Sequence, residues 1–185
     1  MRSVSAVIRA TWSHWLLPAA CVALAACASA PSVLDPPQAE SRQNVAGALQ
    51  LYSQAWAARD ADAILARHAV DTEFHLVTWG SAPTQTREEL RAAFDAIFAS
   101  NPDYQSTVRR VRIGDDFAVV EYDIHMDPHR PARAGETIFT PSGEAYRAPA
   151  VDIIVFEEGL VTQKITYLDT ETVRANSVKV ERAAQ

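Results

Sequence analysis

Four long runs of β-forming residues fill the C-terminal half of this chain, and short turns join them in pairs. The runs cover 104–113, 117–126, 145–156 and 161–169, with Gly-Asp-Asp between the first two and Glu-Glu-Gly between the last two. Turns this short join antiparallel neighbours, because parallel strands need a much longer crossover. The sequence therefore predicts a largely antiparallel sheet in this half.

Helical patterns come before this sheet. Apolar residues recur at spacings of three and four from about Asn44, as in an amphipathic helix, and Thr86–Glu89 fits a capping box that opens another helix ending at Asn101. A short helix from about residue 60 to 68, a strand over 74–79 and a short closing helix over 170–177 complete the predicted elements. Helices first and strands afterwards indicate an α+β fold, in which the helices cover a curved sheet and enclose a pocket.

The first 27 residues have a different character from the rest. Arg2 and Arg9 precede an apolar block that ends Leu24-Ala25-Ala26-Cys27, which is the pattern of a signal peptide. This ending resembles the lipobox of bacterial lipoproteins. The resemblance implies cleavage before Cys27 and lipidation of that residue, with anchoring in the bacterial cell envelope at the periplasmic face of the outer membrane. An ordinary secretory signal, or a start site placed too early, is the alternative.

These patterns divide the chain into four segments. They are a lipoprotein signal peptide over 1–26, a proline-rich tether over 27–43, one domain over 44–178 and a frayed tail over 179–185. The chain's two cysteines are Cys21, inside the predicted signal peptide, and Cys27. We therefore expect no disulfide, catalytic thiolate or cysteine-rich zinc site in the domain.

The charge of the chain limits its partners. The net charge is −6, and removal of residues 1–26, which hold two arginines and no acidic residue, leaves −8. An acidic domain is poorly suited to a phosphate backbone, so we expect no nucleic-acid partner. Gly-rich phosphate loops, a Ser-centred elbow and an HExxH motif are also missing, so we expect no nucleotide, metal or other cofactor.

Four stretches of the domain carry a family resemblance. The chain is similar to the NTF2-like superfamily, especially its SnoaL-like and ketosteroid-isomerase-like members, across about 44–177. The resemblance implies a cone of helices on a curved sheet, a pocket for a small hydrophobic molecule, and pairing into a homodimer. The fold hosts isomerases, cyclases and dehydratases as well as binding modules. The stretches are 52–62, 71–75, 86–94 and 151–159, the last leading to Asp169.

Similarity to the ketosteroid isomerases implies an oxyanion site. Their Tyr and protonated Asp, which donate hydrogen bonds to the enolate, match Tyr52 and Asp152. Their base matches Leu76, which cannot accept a proton, although a one-residue shift of the strand would place His75 there. Similarity to the SnoaL-like cyclases implies instead that Asp169 is the acid/base, with His75 beside it and Val77 where a second polar residue is expected.

Each candidate also has a purely structural interpretation. Asp152 interrupts a buried apolar run, so its carboxyl is either a protonated donor or a structural group with polar partners. Tyr52 could simply anchor the core, His75 could lie on the solvated face of its strand, and Asp169 could cap the last helix. The remaining predicted pocket residues are Trp56, Trp79 and Tyr167.

A second group of polar residues alternates along one predicted strand. Such a face could hold a transition metal, but a solvated outer face that runs into a loop is the simpler interpretation. We therefore expect no metal there. The residues are Glu121, Asp123, His125, Asp127 and His129.

Taken together, the sequence favours a lipid-anchored pocket protein that binds a small hydrophobic molecule. If it is an enzyme, cofactor-free proton transfer beside a carbonyl, as in isomerases, cyclases or dehydratases, suits these side chains. The alternative is a non-catalytic module for ligand binding or assembly in the cell envelope.

Overall fold

The computed structural model describes residues 36–78 and 80–183. None of the helices in these ranges is long and apolar enough to cross a membrane. The helices are α1 (Pro36–Ala58), α2 (Ala61–Leu65), α3 (Arg87–Ser100) and α4 (Thr170–Ala175). The strands are β1 (His68–Val77), β2 (Gln105–Ile113), β3 (Phe117–Met126), β4 (Ala132–Ala134), β5 (Thr137–Pro141), β6 (Tyr146–Glu157), β7 (Leu160–Leu168) and β8 (Ser177–Arg182).

The main sheet has five strands in the order β1-β7-β6-β3-β2. The hairpins β2-β3 and β6-β7 and the pair β3-β6 are antiparallel, while β1 runs parallel to β7 at one edge. With the helices on one face, this is the predicted α+β cone. The structure therefore confirms the fold class.

Local sequence explains where α3 begins. The Thr86 hydroxyl accepts from the Glu89 amide at 3.1 Å, and the Glu89 carboxylate accepts from the Thr86 amide at 3.2 Å, so the predicted capping box is complete. The helix then buries Leu90 and Phe94 against the sheet. Asp60 caps α2 in a similar way, through the amides of the first turn.

Helix α1 begins eight residues earlier than predicted, at Pro36 rather than Asn44. Proline is compatible with a first helical turn because its missing N–H would have no partner there. The added turns are held from outside the helix, since Ser41 donates to the Asp115 carbonyl at 2.6 Å and Arg42 pairs with the Asp115 carboxylate at 2.8 Å. Such a distant contact leaves no periodic signal in the helix sequence.

The first four residues of the segment predicted as a frayed tail, 179–182, belong to a strand. Residues Ser177–Arg182 form β8, which pairs with β5 in a second sheet of order β4-β5-β8. Its partner lies in the loop between β3 and β6, where strands of three and five residues were too short to predict. Phe139 and Val173 belong to the small core that joins this sheet to α4.

Alternation along the central strands decides which side chains reach the concave face under the helices. In β6 this face carries Asp152 and Ile154, and in β7 it carries Lys164 and Thr166, all buried. In β1 it carries Phe74. The main core lies on this face, around Tyr52, Ile64, Leu90, Phe94 and Val161.

Candidate functional site

A cavity of about 330 Å³ opens between the concave face of the main sheet and helices α1 and α3. This volume suits a small molecule. Most of its wall is apolar or aromatic, and the buried charged groups of the wall lie on β6 and β7. Residues on the apolar part include Leu49, Trp56, Leu76, Ile97, Val120 and Ile154.

A buried ion pair forms the polar part of the wall. The Lys164 ammonium lies 2.9 Å from Asp152 Oδ2, and the two side chains are only 4% and 11% exposed. Thr166 donates to Asp152 Oδ1 at 2.7 Å and Tyr122 donates to the same oxygen at 3.0 Å. Desolvating two charges is costly, so a pair like this persists only with such additional hydrogen bonds.

The Lys164 ammonium has donor capacity beyond these contacts. Two of its protons are used by Asp152 and by Thr166 Oγ1, which lies 2.9 Å away. Its nitrogen also lies 4.9 Å from the centre of the Trp56 ring and 5.2 Å from that of Phe74, which is cation–π distance. Within the described part of the chain the third proton has no oxygen acceptor, so a ligand oxygen in the cavity could accept it.

Asp152 acts as an acceptor in this arrangement. Its contacts are with an ammonium and two hydroxyls that donate to it. This arrangement differs from the protonated donor that the resemblance to the ketosteroid isomerases implies for Asp152, since its oxygens face three donors. The buried cationic donor on the cavity wall is Lys164, which sequence reasoning missed. The sequence signal was weak: Lys164 is one of two lysines in the chain and falls inside a predicted strand.

Three tyrosines surround the ion pair. Burial raises the pKa of the Tyr52, Tyr104 and Tyr122 hydroxyls well above the ordinary value, and the nearby Asp152 charge raises it further. All three stay protonated at neutral pH and act as neutral hydrogen-bonding groups.

Behind Tyr52 lies a histidine that the sequence analysis did not select. The Tyr52 hydroxyl is 3.0 Å from His68 Nε2, and His68 Nδ1 is 2.9 Å from Thr72 Oγ1. Burial lowers the His68 pKa to about 3, with the Lys164 and Arg87 charges acting in the same direction. His68 is therefore neutral at physiological pH. Alternation along β1 does not predict this position, because a bulge lies between His68 and Glu73 and Val70 between them is 85% exposed.

The structure brings three of the predicted residues together. Tyr52, Trp56 and Asp152 all line the cavity. The Trp56 indole N–H lies close enough to Tyr52 to oppose the rise in its pKa, but it makes no hydrogen bond to any described residue. Trp79 and Cys27 lie outside the described residues.

Three other predicted residues do not reach the cavity. His75 lies on the opposite face of β1, with Nε2 3.2 Å from the Ser81 hydroxyl, because its neighbours Phe74 and Leu76 point inward. Tyr167 lies on the outer face of β7 and is 49% exposed. Asp169 caps α4 by accepting from the Glu171 and Thr172 amides, and its hydrogen bonds with Thr172 lower its pKa.

Four of the five alternating polar residues in β3 and the loop after it have other side-chain partners. Glu121, Asp123 and Asp127 pair with the arginines Arg110, Arg109 and Arg130, and His125 lies 2.9 Å from the Thr107 hydroxyl. Across residues 36–78 and 80–183 no three His, Cys, Asp or Glu side chains come together as a metal site.

A family model for the SnoaL-like domain matches residues 48–164. The match covers most of the chain and every residue of the ion pair and the Tyr52–His68 contact. The chain therefore belongs to the SnoaL-like family, within the NTF2-like fold.

Solved structures agree on the fold. A candidate SnoaL-like polyketide cyclase from Jannaschia sp. CCS1 is 19% identical and superimposes with a TM-score of 0.60, covering 80% of this chain and 97% of that one. A candidate polyketide cyclase from Xanthomonas campestris pv. campestris is 20% identical, with a TM-score of 0.54 and coverage of 74% and 98%.

A third structure, from Catenulispora acidiphila DSM 44928, has a ketosteroid-isomerase-like fold and was crystallised with trimethylamine. It is 15% identical, with a TM-score of 0.55 and coverage of 70% and 91%. At these identities the likeness concerns the fold. A sequence search of curated proteins finds no match.

Proposed function

We propose that this protein binds a small, largely apolar carbonyl compound in the cavity and catalyses cofactor-free proton transfer next to that carbonyl. The observation that carries the proposal is the Asp152–Lys164 pair, buried in the wall of an otherwise mainly apolar cavity. Charges in such a place act on a ligand far more strongly than they would in water.

Lys164 supplies the electrostatic part of the mechanism. Its third N–H would donate to the carbonyl oxygen and stabilise the negative charge that develops there as an enolate forms. The pair with Asp152 and the hydrogen bond to Thr166 orient the ammonium toward this task.

Asp152 supplies the base. Among the described residues it is the only carboxylate on the cavity wall. The proton next to the carbonyl would pass to an Asp152 oxygen while the C–H electrons move to the carbonyl oxygen, and return of the proton to another carbon would complete an isomerisation. No oxidant, metal or cofactor is needed to balance this step.

A specific observation favours the non-catalytic alternative. Asp152 already accepts from three groups, and the position that matches the isomerase base is Leu76, which lines the cavity without an ionisable group. On this account the same cavity binds its ligand through Lys164 and does not change it.

Deuterium exchange distinguishes catalysis of proton transfer from ligand binding alone. Acetophenone in D₂O with the wild-type protein should lose its methyl protons faster than in buffer, as followed by proton NMR. Asp152→Asn should lower the catalysed rate by about 100-fold or more, which is the usual contribution of a general base. Asp103→Asn, on a side chain 87% exposed, is the matched control. Binding of acetophenone without exchange would refute catalysis and leave the binding function.

We also propose that the domain is anchored in the bacterial cell envelope by lipid on Cys27. The support is the Leu-Ala-Ala-Cys ending of the N-terminal apolar segment. Mass spectrometry of the protein from bacterial membranes should find an acylated N-terminal Cys27, and Cys27→Ser should release the protein from the membrane fraction. Cys21→Ser is the matched control and should leave anchoring unchanged. An unmodified N-terminus at another residue would refute the anchor.

A further inference from the structure

We propose that His68 is a positioning residue that sets whether the Tyr52 hydroxyl presents an acceptor or a donor to the ligand. The inference rests on the proposed function, because it concerns a ligand oxygen in the same cavity. His68 would change between its two neutral tautomers when an oxygen acceptor binds, and Thr72 would permit the change.

The hydrogen-bond chain needed for this is complete. Tyr52 lines the cavity, its hydroxyl is 3.0 Å from His68 Nε2, and Nδ1 of the same ring is 2.9 Å from the Thr72 hydroxyl. His68 and Tyr52 are 3% and 2% exposed, and Thr72 is buried as well. The imidazole therefore exchanges hydrogen bonds with two hydroxyls rather than with bulk water.

Both hydroxyls can donate or accept, so the chain has two arrangements. In the first, Tyr52 donates to Nε2, and Nδ1–H donates to Thr72. In the second, Thr72 donates to Nδ1, and Nε2–H donates to Tyr52, whose own proton is then free for the cavity. A neutral imidazole carries one proton in either case, so the net charge of the buried chain does not change.

The first arrangement should dominate without ligand. A phenol is a stronger donor than an imidazole N–H, and an unprotonated imidazole nitrogen is a better acceptor than a phenol oxygen. An anionic or carbonyl oxygen near Lys164 would need donors, which favours the second arrangement. Tyr52 would then join Lys164 as a second donor to the ligand oxygen, the role that the family resemblance implied for Tyr52.

Imidazole nitrogen NMR reads the tautomer directly. The ¹⁵N shifts of His68 would be recorded without ligand and with 4-nitrophenolate, an oxyanion that mimics an enolate, and the phenolate absorbance would report binding independently. The wild-type protein should change from the Nδ1–H to the Nε2–H tautomer as the probe saturates. Binding with no change of tautomer would overturn this inference and leave the proposed function intact.

Thr72→Val distinguishes a positioning role from a structural one. Valine keeps the shape but can neither accept from Nδ1–H nor donate to Nδ1. A buried N–H without an acceptor costs more than an unpaired ring nitrogen, so His68 should stay in the Nε2–H tautomer with and without probe. Tyr52 then already donates toward the cavity before the probe binds. Because this second arrangement is no longer the less populated one, 4-nitrophenolate should bind about threefold or more tightly. Thr72→Ser retains the hydroxyl and should behave like the wild type.

The remaining outcomes are equally decisive. Equal or weaker binding by a folded Thr72→Val protein, with folding verified by circular dichroism, would overturn the role of the tautomer. Absence of 4-nitrophenolate binding in the wild-type protein would refute the proposed oxygen site at Lys164, and this inference with it.

Discussion

The buried charges of Lys164 and Asp152 each need the other as a partner. Removal of one charge leaves its partner buried without compensation, so Lys164→Met or Asp152→Asn alone should destabilise the fold by about 3 kcal/mol or more. The double variant should regain much of this loss, since no uncompensated charge remains. Urea unfolding of the four proteins forms a double-mutant cycle.

Lys179→Met is a suitable control for this cycle. Lys179 forms the exposed pair with Glu181, and its side chain is 62% exposed. Its substitution should change stability by less than about 0.5 kcal/mol. Additive effects of Lys164→Met and Asp152→Asn would contradict the ion pair.

The neutral state of His68 predicts how stability depends on pH. Its pKa is about 3 in the fold and about 6.5 in an unfolded chain, so between these values the unfolded state binds the extra proton. The stability from burying neutral His68 is therefore complete above pH 6.5 and is lost as the pH falls toward 3, by at most about 1.4 kcal/mol per unit. Urea unfolding of His68→Gln should show a flatter pH dependence in this window, and an unchanged slope would contradict a buried neutral imidazole.

At the scale of the elements, the two faces of β1 are expected to have different functions. His75→Ala changes the outer face and should leave probe binding within about twofold of the wild type, because it touches no part of the cavity. Leu76→Trp fills the cavity from the inner face and should reduce binding of 4-nitrophenolate strongly. Titration by phenolate absorbance measures both. A large loss in His75→Ala would show that the faces have been assigned the wrong way round.

The alternation of the strands also explains what could be predicted from the sequence. The capping box of α3, the hairpins β2-β3 and β6-β7 and the burial of Asp152 follow from local patterns, and all are present in the structure. The partners of Asp152 and Tyr52 could not be predicted in the same way. Lys164 and His68 come from strands whose pairing is set by the whole sheet, and a bulge in β1 between His68 and Glu73 disturbs its register.

At the scale of the whole molecule, the second sheet ties the C-terminal segment to the domain. Ending the chain after Asn176 removes β8 and exposes Phe139, which is 2% exposed in the full structure, to water. We expect a loss of at least about 1 kcal/mol in unfolding free energy by urea denaturation. Probe binding should persist, since none of β8 lines the cavity. Unchanged stability would show that β8 does not contribute to the fold.

The central claim is that the cavity recognises a ligand oxygen through Lys164. The most direct measurement is the dissociation constant of 4-nitrophenolate, by absorbance titration, for the wild type, Lys164→Met and the control Lys179→Met. The account predicts that Lys164→Met binds at least about tenfold more weakly, as expected for loss of a charge-assisted hydrogen bond, and that Lys179→Met is unchanged. Equal affinity in all three folded proteins would contradict it.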